Sequence, residues 1–483
     1  MRGKTAARII HAFSFSQHQH ASAGQPAGRR LPSKDFVIEP KRIPREAHSI
    51  SRSQISSAAL RTLYTLKDAG FEAYLVGGGV RDLLAGLIPK DFDIATSAHP
   101  EQVKPLFRSC RLIGRRFVIC HVRFGQEIIE VTTFRGPISD SHERDETGRI
   151  LSDNEYGTLE EDAFRRDFTI NALYYDIRDF SIVDYCGGLE DLQARRVRLI
   201  GDPELRYRED PVRMLRAIRI ANKLGFALAE DTAGPIPQLA PLLMEVPAAR
   251  LFDEVLKVLQ SPDAVANYEA LGELGLFAQL FPETDALAEH DDLADDFIAL
   301  ALAGTAQRMR EELPVSPAFL YAALLWPPVW QRCQALMQRE GLHANAAILQ
   351  AGDEILARAV LRVAIPKRFS LPMREIWQLQ TRFEVKGARG LRILTHPRFR
   401  AAYDFLLLRA ACGEVDPALA NHWTALQAQA ASGSQSGMAV GDDADEDLLS
   451  AEEDTTPAEG PQKRRRRRRR GGRGRSAPGP AGA

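Results

Sequence analysis

Two aspartates, one residue apart, have a spacing that predicts metal-dependent chemistry. Asp91 and Asp93 lie in the sequence KDFDIAT. On a strand, side chains two residues apart share a face, so both carboxylates would point outward while Phe92 and Ile94 enter a core. Such a pair can bind divalent cations, and Mg²⁺ prefers oxygen ligands together with substrate phosphates. The pattern therefore predicts phosphoryl transfer, although two aspartates at a strand end are often only solvated.

A run of three glycines precedes the aspartates at residues 77–79. The apolar residues 73–76 predict a strand that leads into it, and residues 80–85 have helical spacing that ends at Gly86. Glycines allow backbone N–H groups to approach a phosphate, because no Cβ stands in the way. We expect this turn to hold a triphosphate beside the two aspartates. Alone, the glycines would predict only a turn, but their order with the aspartates is more specific.

A third carboxylate is predicted on a neighbouring strand. Residues 117–124 and 127–134 are rich in strand-forming residues and are separated by Gly125-Gln126, which predicts a hairpin. Glu130 falls on the face opposite Ile129 and Val131. It is a candidate third catalytic carboxylate, and an exposed strand glutamate is the alternative interpretation.

The segment EEDAFRRDFTINALYY, residues 160–175, carries further polar candidates. The guanidinium groups of Arg165 and Arg166 suit triphosphate oxygens. Asp167 is expected to contact a ribose hydroxyl or to support the metal carboxylates, and Asn171 to hydrogen-bond the sugar. Alternatively, Asp167 caps a short helix and the arginines are solvated.

Residues 207–226, YREDPVRMLRAIRIANKLGF, predict a helix with a polar flank. Asp210 before Pro211 indicates an N-cap and a first turn, and Gly225 ends the helix. Arginines spaced by three lie along one flank beside an apolar stripe. We expect them to be unpaired, and they suit phosphates or a base edge. An Asp–Arg pair can offer a nucleobase both an acceptor and donors, while Asp210 as a plain N-cap is compatible with that role. The three arginines are Arg213, Arg216 and Arg219.

Composition excludes several classes of protein. Of 483 residues, 45% are hydrophobic and 26% are charged, as in ordinary globular proteins of about three domains. The sequence has no apolar run as long as a membrane span. The five cysteines include no C-x-x-C pair, which favours a reducing cytoplasm and gives no zinc site.

The formal net charge of −1 conceals segregated charges. Residues 442–459 are strongly acidic, and residues 463–475 are almost entirely basic. Blocks of like charge are normally disordered tails, and an arginine run is an electrostatic footprint for nucleic acid. The acid-free first 34 residues would also suit a transit peptide, but we favour a disordered extension of a bacterial cytoplasmic protein.

Two further stretches have predicted roles. The polar residues 137–156 form a long loop that is expected to close over the substrate or to be disordered. From residue 239 to about 430 the pattern is helical and contains no catalytic constellation. Within it, residues 366–400 are basic with interleaved Trp377, Phe383 and Phe399, which suits RNA contact; a helix that buries its aromatics fits equally well.

Three motifs in order resemble the class II template-independent nucleotidyltransferases, which include tRNA CCA-adding enzymes and bacterial poly(A) polymerases. They are LVGGGVRDLLAG…KDFDIAT, RRDFTINALYYD and REDPVRMLRAIRIANKLGF. The segments RLIGRRFVICHVRFGQEIIEVTTFRG, PKRFSLPMREIWQLQTRF and HPRFRAAYDFLLLRA look like the bacterial poly(A) polymerases, as does the arginine-rich tail. The last two segments and the tail lie outside the core that the two groups share.

The resemblance implies an α+β fold with a small mixed-sheet head, followed by all-helical neck, body and leg regions and disordered termini. The implied domains are a disordered extension (1–50), the catalytic head (51–200), a neck that recognises the base (201–262), a helical RNA-binding body (263–430) and an acidic, then arginine-rich RNA-binding tail (431–483).

The resemblance also implies roles for individual residues. The implied metal-binding catalytic pair is Asp91 and Asp93, with Asp167 as a third functional carboxylate. Gly77, Gly78 and Arg81 would hold the triphosphate. Asp210 and Arg213 would read the adenine edge.

The implied function is Mg²⁺-dependent addition of AMP from ATP to RNA 3′ ends, which promotes RNA processing and decay, with RNA-decay machinery as a further partner. A tRNA CCA-adding enzyme is the first alternative. A non-catalytic RNA-binding protein is the second, and the intact aspartate pair argues against it.

Overall fold

The described part of the chain consists of an eight-stranded mixed sheet followed by helices. The structure is a computed structural model and describes residues 39–114, 117–136, 155–384 and 392–433. The predicted closing loop except for its last two residues, the first 38 residues, the acidic stretch and the arginine-rich tail lie outside these ranges. None of the described helices is long and apolar enough to cross a membrane.

The sheet is mixed because one neighbouring pair, β3 and β6, is parallel and the other pairs are antiparallel. Its strand order is β1-β8-β7-β2-β3-β6-β5-β4. This confirms the predicted mixed-sheet head and the hairpin β5–β6. The strands are β1 Lys41–Ile43, β2 Ala73–Val76, β3 Asp93–Thr96, β4 Cys110–Ile113, β5 Ile119–Phe124, β6 Glu127–Thr133, β7 Leu173–Asp176 and β8 Ile182–Asp184.

The two faces of this sheet are covered differently. One face packs against α1 and α3, where Leu63 and Val103 are buried with alternate strand residues such as Ile94 and Val131. On the other face, α4 covers the strands around β2 and β7, while the β6-β5-β4 half is exposed. The helices of this region are α1 Ser57–Asp68, α2 Gly78–Leu84, α3 Pro100–Leu106, α4 Leu159–Arg165 and α5 Gly188–Gln193.

The rest of the described chain is helical, as predicted, apart from two short parallel strands. These strands are β9 Arg196–Val197 and β10 Ala227–Leu228, so the predicted all-helical neck contains one strand. The helices are α6 Pro203–Glu209, α7 Val212–Leu224, α8 Glu230–Ala233, α9 Ile236–Leu239, α10 Ala248–Leu259, α11 Ala264–Glu273, α12 Leu276–Leu280, α13 Pro282–Ala288, α14 Asp292–Arg310, α15 Pro317–Leu324, α16 Trp326–Glu340, α17 Ala344–Arg362, α18 Lys367–Arg382, α19 Phe399–Ala411 and α20 Pro417–Gly433.

Helix α7 joins the sheet region to the helical region. Its apolar stripe, which includes Met214 and Ile218, is fully buried in a core that also contains Phe168 and Ile170 from the segment before β7. The helix ends at Gly225, whose φ is +62°. This core extends without a break from the sheet region to α19, so α7 is held on both sides.

Other sequence predictions also differ from the structure. Part of the predicted disordered extension, residues 41–43, is strand β1, because Ile43 enters the core and the strand pairs with β8. Asp210 is not the N-cap of α7: Pro211 occupies that position and Asp210 ends α6, although its Oδ1 accepts a hydrogen bond from the Val212 N–H at 3.3 Å.

The aromatic residues predicted to contact RNA are buried instead. Trp377 is 1% exposed, Phe383 is 2% exposed and Phe399 is 7% exposed. The Trp377 indole N–H donates to the backbone oxygen of Ala322 at 3.0 Å. The RNA-stacking interpretation is therefore wrong for these three side chains, because they stabilise the helical core.

Candidate active site

The two aspartates lie at the beginning of the central strand β3. Asp93 is the first residue of that strand, whereas Asp91 precedes it and is exposed. Phe92 and Ile94 are buried, as the alternation predicted. Asp93 is in register with Val76 on one side and with Glu130 on the other. The structure therefore brings the predicted third carboxylate next to the pair.

Burial raises the pKa of Asp93 to about 6, and the neighbouring carboxylates of Glu130 and Asp91 add to the shift because they repel its charge. Arg166 acts in the opposite direction. A bound cation would relieve this repulsion, and carboxylate oxygens are the ligands that hard divalent cations prefer. The donor set therefore fits a divalent metal ion.

The protein supplies only part of a coordination shell in the chain that the structure describes. In those ranges, no group of three or more His, Cys, Asp or Glu side chains is arranged to hold a metal. Two carboxylates with substrate phosphates and water are a usual set for Mg²⁺. Asp91 and Asp93 could supply the protein's share of such a shell.

The glycine turn lies against the aspartates. Gly77 has a φ of +73°, and α2 begins at the next residue. A Cβ at position 77 would lie 3.5 Å from Asp93 Oδ2 and 3.7 Å from Arg166 Nη1. A Cβ on Gly79 would lie 3.3 Å from the ring of Phe92. The glycines therefore permit the turn to pack closely on the segment that carries the aspartates.

Arg166 is fixed in place beside this turn. Its Nε and Nη2 donate to Asp162 at 3.1 and 2.9 Å, and its Nε also lies 2.9 Å from the Tyr174 hydroxyl. That hydroxyl donates to the same carboxylate at 2.7 Å. Burial alone would raise the pKa of Asp162, but Arg166 and Tyr174 hold it below its usual value. The arrangement leaves Nη1 of Arg166 facing the glycine turn.

Arg165, the other arginine of this dipeptide, has a different contact. Its Nη1 donates to the backbone oxygen of Gly136 at 2.6 Å. The two neighbouring arginines, which sequence treated alike, therefore take different roles in the structure.

Six side chains form a head–neck polar chain that runs from α7 to α2 and back. Lys223 contacts Asp82 Oδ2 at 2.6 Å, and Asp82 Oδ1 accepts from Arg81 at 2.9 and 2.7 Å. Arg81 Nη1 donates to Asn171 at 2.7 Å. The members are Lys223, Asp82, Arg81, Asn171, Asp167 and Arg216.

The second half of the head–neck polar chain returns to α7. Asn171 donates to Asp167 Oδ1 at 3.0 Å, and Arg216 lies 2.6 Å from Asp167 Oδ2. Burial would raise the pKa of Asp167, but Arg216, Asn171 and a backbone N–H together lower it. The predicted triphosphate ligand Arg81 and the predicted sugar ligand Asn171 are therefore bonded to each other, and Arg81 is only 5% exposed.

The side chains of Asp210 and Arg213, the predicted base-reading pair, contact other residues rather than each other. Asp210 lies 2.7 Å from Arg250. Arg213 donates to the backbone oxygen of Arg206 at 2.6 Å and to Glu209 at 2.9 Å. The prediction that the α7 arginines lack partners is thus wrong for Arg213, and it is wrong for Arg216 too.

Arg219 occupies the inner end of this flank. Burial lowers its pKa, and Glu254 on α10 acts against that shift. Its Nε is buried and has no hydrogen-bond partner in the described ranges, and the same holds for Oε2 of Glu254. Arg219 on α7 and Glu254 on α10 therefore each retain an unused polar atom.

Several residues of the site were missed by sequence analysis. Asp162 lies four residues before Arg166 on α4, and this helical spacing could have indicated the pair. His121 lies opposite Glu130 in the β5–β6 register, with Nε2 at 3.3 Å from the carboxylate. Lys223 has no such signal, because its partner Asp82 is far away in sequence.

Three family models match the chain. Residues 73–198 match the Poly A polymerase head domain, residues 225–287 the probable RNA and SrmB-binding site of polymerase A, and residues 340–471 the polymerase A arginine-rich C-terminus. The fold and the site, together with these matches, define a nucleotidyltransferase.

Similar proteins identify the family within this class. Poly(A) polymerase I of Salmonella typhi is 52% identical over 377 residues, which are 76% of this chain and 81% of the relative. The chain therefore belongs to the poly(A) polymerase I family. A CCA-adding enzyme of Geobacillus kaustophilus is 42% identical over 224 residues, which are 46% of this chain and 54% of the relative. A crystal structure of the Bacillus stearothermophilus CCA-adding enzyme in complex with CTP is 28% identical, covers 77% of this chain and 98% of that chain, and has a TM-score of 0.43.

Proposed function

We propose that the protein adds AMP residues from ATP to RNA 3′ ends without a template, using divalent cations, specifically Mg²⁺, held by Asp91 and Asp93. The observation that carries this proposal is the 52% identity to a Poly(A) polymerase I, which extends over 81% of that relative. The aspartates and the glycine turn lie within the matched head domain.

The reaction joins two substrates at one phosphorus atom. The 3′ oxygen of the RNA attacks the α-phosphorus of ATP and forms a new P–O bond. The bond from that phosphorus to the bridging oxygen breaks, and pyrophosphate leaves with the electron pair. Cations bound at Asp91 and Asp93 would supply positive charge to the attacking and leaving oxygens.

The surroundings of the aspartates suit the other parts of this reaction. At Gly77 and Gly78, no Cβ would obstruct a phosphate oxygen that approaches the backbone N–H groups. Arg166 presents Nη1 from a fixed position, so it loses little conformational freedom when it binds a phosphate. Glu130, next to Asp93, is proposed as the third carboxylate, which would receive the proton of the attacking hydroxyl.

The polar flank of α7 is proposed to contact the nucleoside. Asp210 and Arg213 would exchange their present partners, Arg250 and Glu209, for the adenine edge. Asp167 and Asn171 would lie near the ribose, with Arg216 and Arg219 close to the phosphates or the base. Arg81 supports this arrangement from behind, since its donors are already used by Asp82 and Asn171.

The CCA-adding alternative has weaker support. The similarity to the CCA-adding relative covers 46% of this chain. Residues 340–471, in contrast, match the arginine-rich C-terminus of polymerase A. These C-terminal residues lie outside the shared core, so they favour poly(A) addition.

One assay separates the two activities. Purified protein with Mg²⁺ receives an unstructured RNA or a tRNA that lacks its CCA end, with each nucleotide supplied alone. We expect long products from ATP on the unstructured RNA. Equal use of CTP and ATP, with products that stop after completing the CCA end, would favour the CCA-adding enzyme. Asp93→Asn is expected to lose activity by on the order of 100-fold or more, while the exposed Glu101→Gln, on α3, serves as the control.

We also propose that the tailed RNAs enter RNA processing and decay in the cytoplasm and that RNA-decay machinery binds this protein. The support is the description of the family matched by residues 225–287 as a probable RNA and SrmB-binding site. Affinity purification from cells with and without ribonuclease would test this. A complex that disappears after ribonuclease treatment would indicate that only shared RNA joins the partners.

A further inference from the structure

The exposed half of the sheet continues directly from the aspartates. Asp93 on β3 is in register with Glu130 on β6, which is in register with His121 on β5, which is in register with Arg111 on β4. Neighbouring strands are about 4.8 Å apart, so this row extends about 14 Å from Asp93 to the edge of the sheet. The surface that it crosses is called here the open sheet face.

The open sheet face combines positive charge with exposed apolar side chains. Arg111 and Arg123 are exposed, and neither forms an ion pair within the described ranges; Arg123 Nε donates to the backbone oxygen of Gly125 at 2.8 Å. Ile128, in register with Arg123, is 47% exposed, and Ile113 is 45% exposed. Arginines bind phosphates, while apolar side chains can cover riboses and bases.

The in-line geometry of phosphoryl transfer indicates which substrate binds the open sheet face. In a phosphoryl transfer, the attacking and leaving oxygens lie roughly in line on opposite sides of the phosphorus. The glycine turn proposed for the triphosphate follows β2, on one side of Asp93. The attacking hydroxyl must therefore approach from the other side, where β6, β5 and β4 lie.

We propose that the open sheet face binds the last nucleotides of the RNA and directs their 3′ hydroxyl to Asp93. Arg111 and Arg123 contact backbone phosphates, and Ile113 and Ile128 cover the riboses and bases between them. These side chains carry no set of donors and acceptors that would select one base, so the binding is independent of sequence. The inference rests on the proposed function, because it assigns a place to the RNA substrate of that reaction.

The test uses a double variant, Arg111→Glu with Arg123→Glu, and a short oligoadenylate. We expect its KM for the oligoadenylate to rise at least about tenfold, because two charge-assisted contacts are lost. Its KM for ATP at saturating RNA should stay within about twofold, since the triphosphate lies on the other side of Asp93. Arg339→Glu, an exposed arginine on α16, is the matched control and should behave like the wild type.

A charge-retaining pair, Arg111→Lys with Arg123→Lys, should recover most of the lost affinity. Photo-crosslinking with 4-thiouridine at the 3′ terminus should label residues 119–133. An unchanged KM for the oligoadenylate, a parallel rise in the KM for ATP, or crosslinks confined to the helical region would overturn the inference. If the wild type adds no AMP at all, the proposed function fails instead, so the two failures are distinguishable.

Discussion

Gly77 satisfies two structural requirements at once. Its φ of +73° is unfavourable for any residue with a Cβ, and the turn lies within ordinary contact distance of Asp93 and Arg166. The alternation of Asp93 with buried neighbours and the glycine run were both visible in the sequence. The sequence does not show which of the three glycines has a positive φ. In the structure it is Gly77, because α2 begins at Gly78.

Gly77→Ala is expected to lower the free energy of unfolding by about 1–3 kcal/mol, because alanine is strained in this backbone conformation. It should also raise the KM for ATP, since the new methyl group faces the space proposed for phosphate. Urea unfolding and steady-state kinetics measure the two effects. Gly304→Ala is the control: it lies in α14 with nothing within 4 Å of the added Cβ, so a gain of about 0.5–1 kcal/mol is expected. An unchanged KM for ATP would remove Gly77 from the phosphate site.

Arg213→Ala is expected to loosen the choice of base by about 1–3 kcal/mol, as when a two-pronged base contact is lost. The measurement is the ratio of ATP, CTP and GTP incorporation in the wild type and in the variant. Arg208→Ala, which removes an exposed arginine from α6, is the control. A uniformly lower rate with the same ratio would assign Arg213 to packing with Glu209 and the Arg206 carbonyl.

At this scale, the sequence predictions were correct where the residues concerned are close to each other along the chain. The alternation at Phe92 and Ile94 and the position of Glu130 opposite its neighbours were predicted correctly, because they depend on adjacent residues. The pairing of Asp82 with Lys223 spans 141 positions, and no local pattern encodes it. Trp377 could not be assigned either, since an aromatic side chain in a basic helix suits a core and an RNA surface equally well.

At the scale of elements, α4 contributes through a buried pair. Asp162 on α4 binds Arg166 just after the helix, and this pair fixes the guanidinium beside the glycine turn. The folded pKa of Asp162 lies below its usual value. Its stabilisation is therefore fully present above the unfolded pKa of about 3.9 and is lost as the pH falls through that value toward the folded pKa.

Asp162→Asn should lower the free energy of unfolding at neutral pH by about 3 kcal/mol or more, because the buried Arg166 loses its charged partner. Below about pH 4 the difference from the wild type should shrink, since the wild-type carboxylate also becomes neutral. Urea unfolding at a series of pH values measures both quantities. Asp68→Asn, in an exposed position at the end of α1, is the control. A constant difference across the whole range would show that charge on Asp162 is not the cause.

At the scale of the whole molecule, we propose separate tasks for the described core and the basic tail. Residues 463–475 contain ten basic residues and no acidic ones. This stretch lies outside the described residues, and its proposed role follows from charge alone. Arginines that neutralise phosphates release counterions, which makes affinity fall steeply with salt.

Deletion of residues 461–483 should weaken RNA binding and reduce the salt slope by about 0.7 for each lost phosphate contact. Transfer of a single AMP at saturating RNA should survive, because the catalytic site is unchanged. Filter binding at several salt concentrations measures affinity and slope. A variant with lysines at 464–470 keeps the charge and should retain most of the slope. Identical affinity and slope in the truncated and full-length proteins would contradict an RNA-binding role.

The head–neck polar chain has a consequence for how this protein can be divided or recombined. A cut near residue 200, at the predicted end of the head, would separate Asp82 from Lys223 and Asp167 from Arg216. Asp167 would then lose its ion-pair partner, and Asp82 would keep Arg81 but lose Lys223. Removing a cation from a buried acid is strongly destabilising. The head, cut near residue 200, is therefore not expected to be exchangeable between relatives as a separate unit. A functional chimera of two relatives should need its crossover beyond α7, so that both partners of each ion pair come from the same parent.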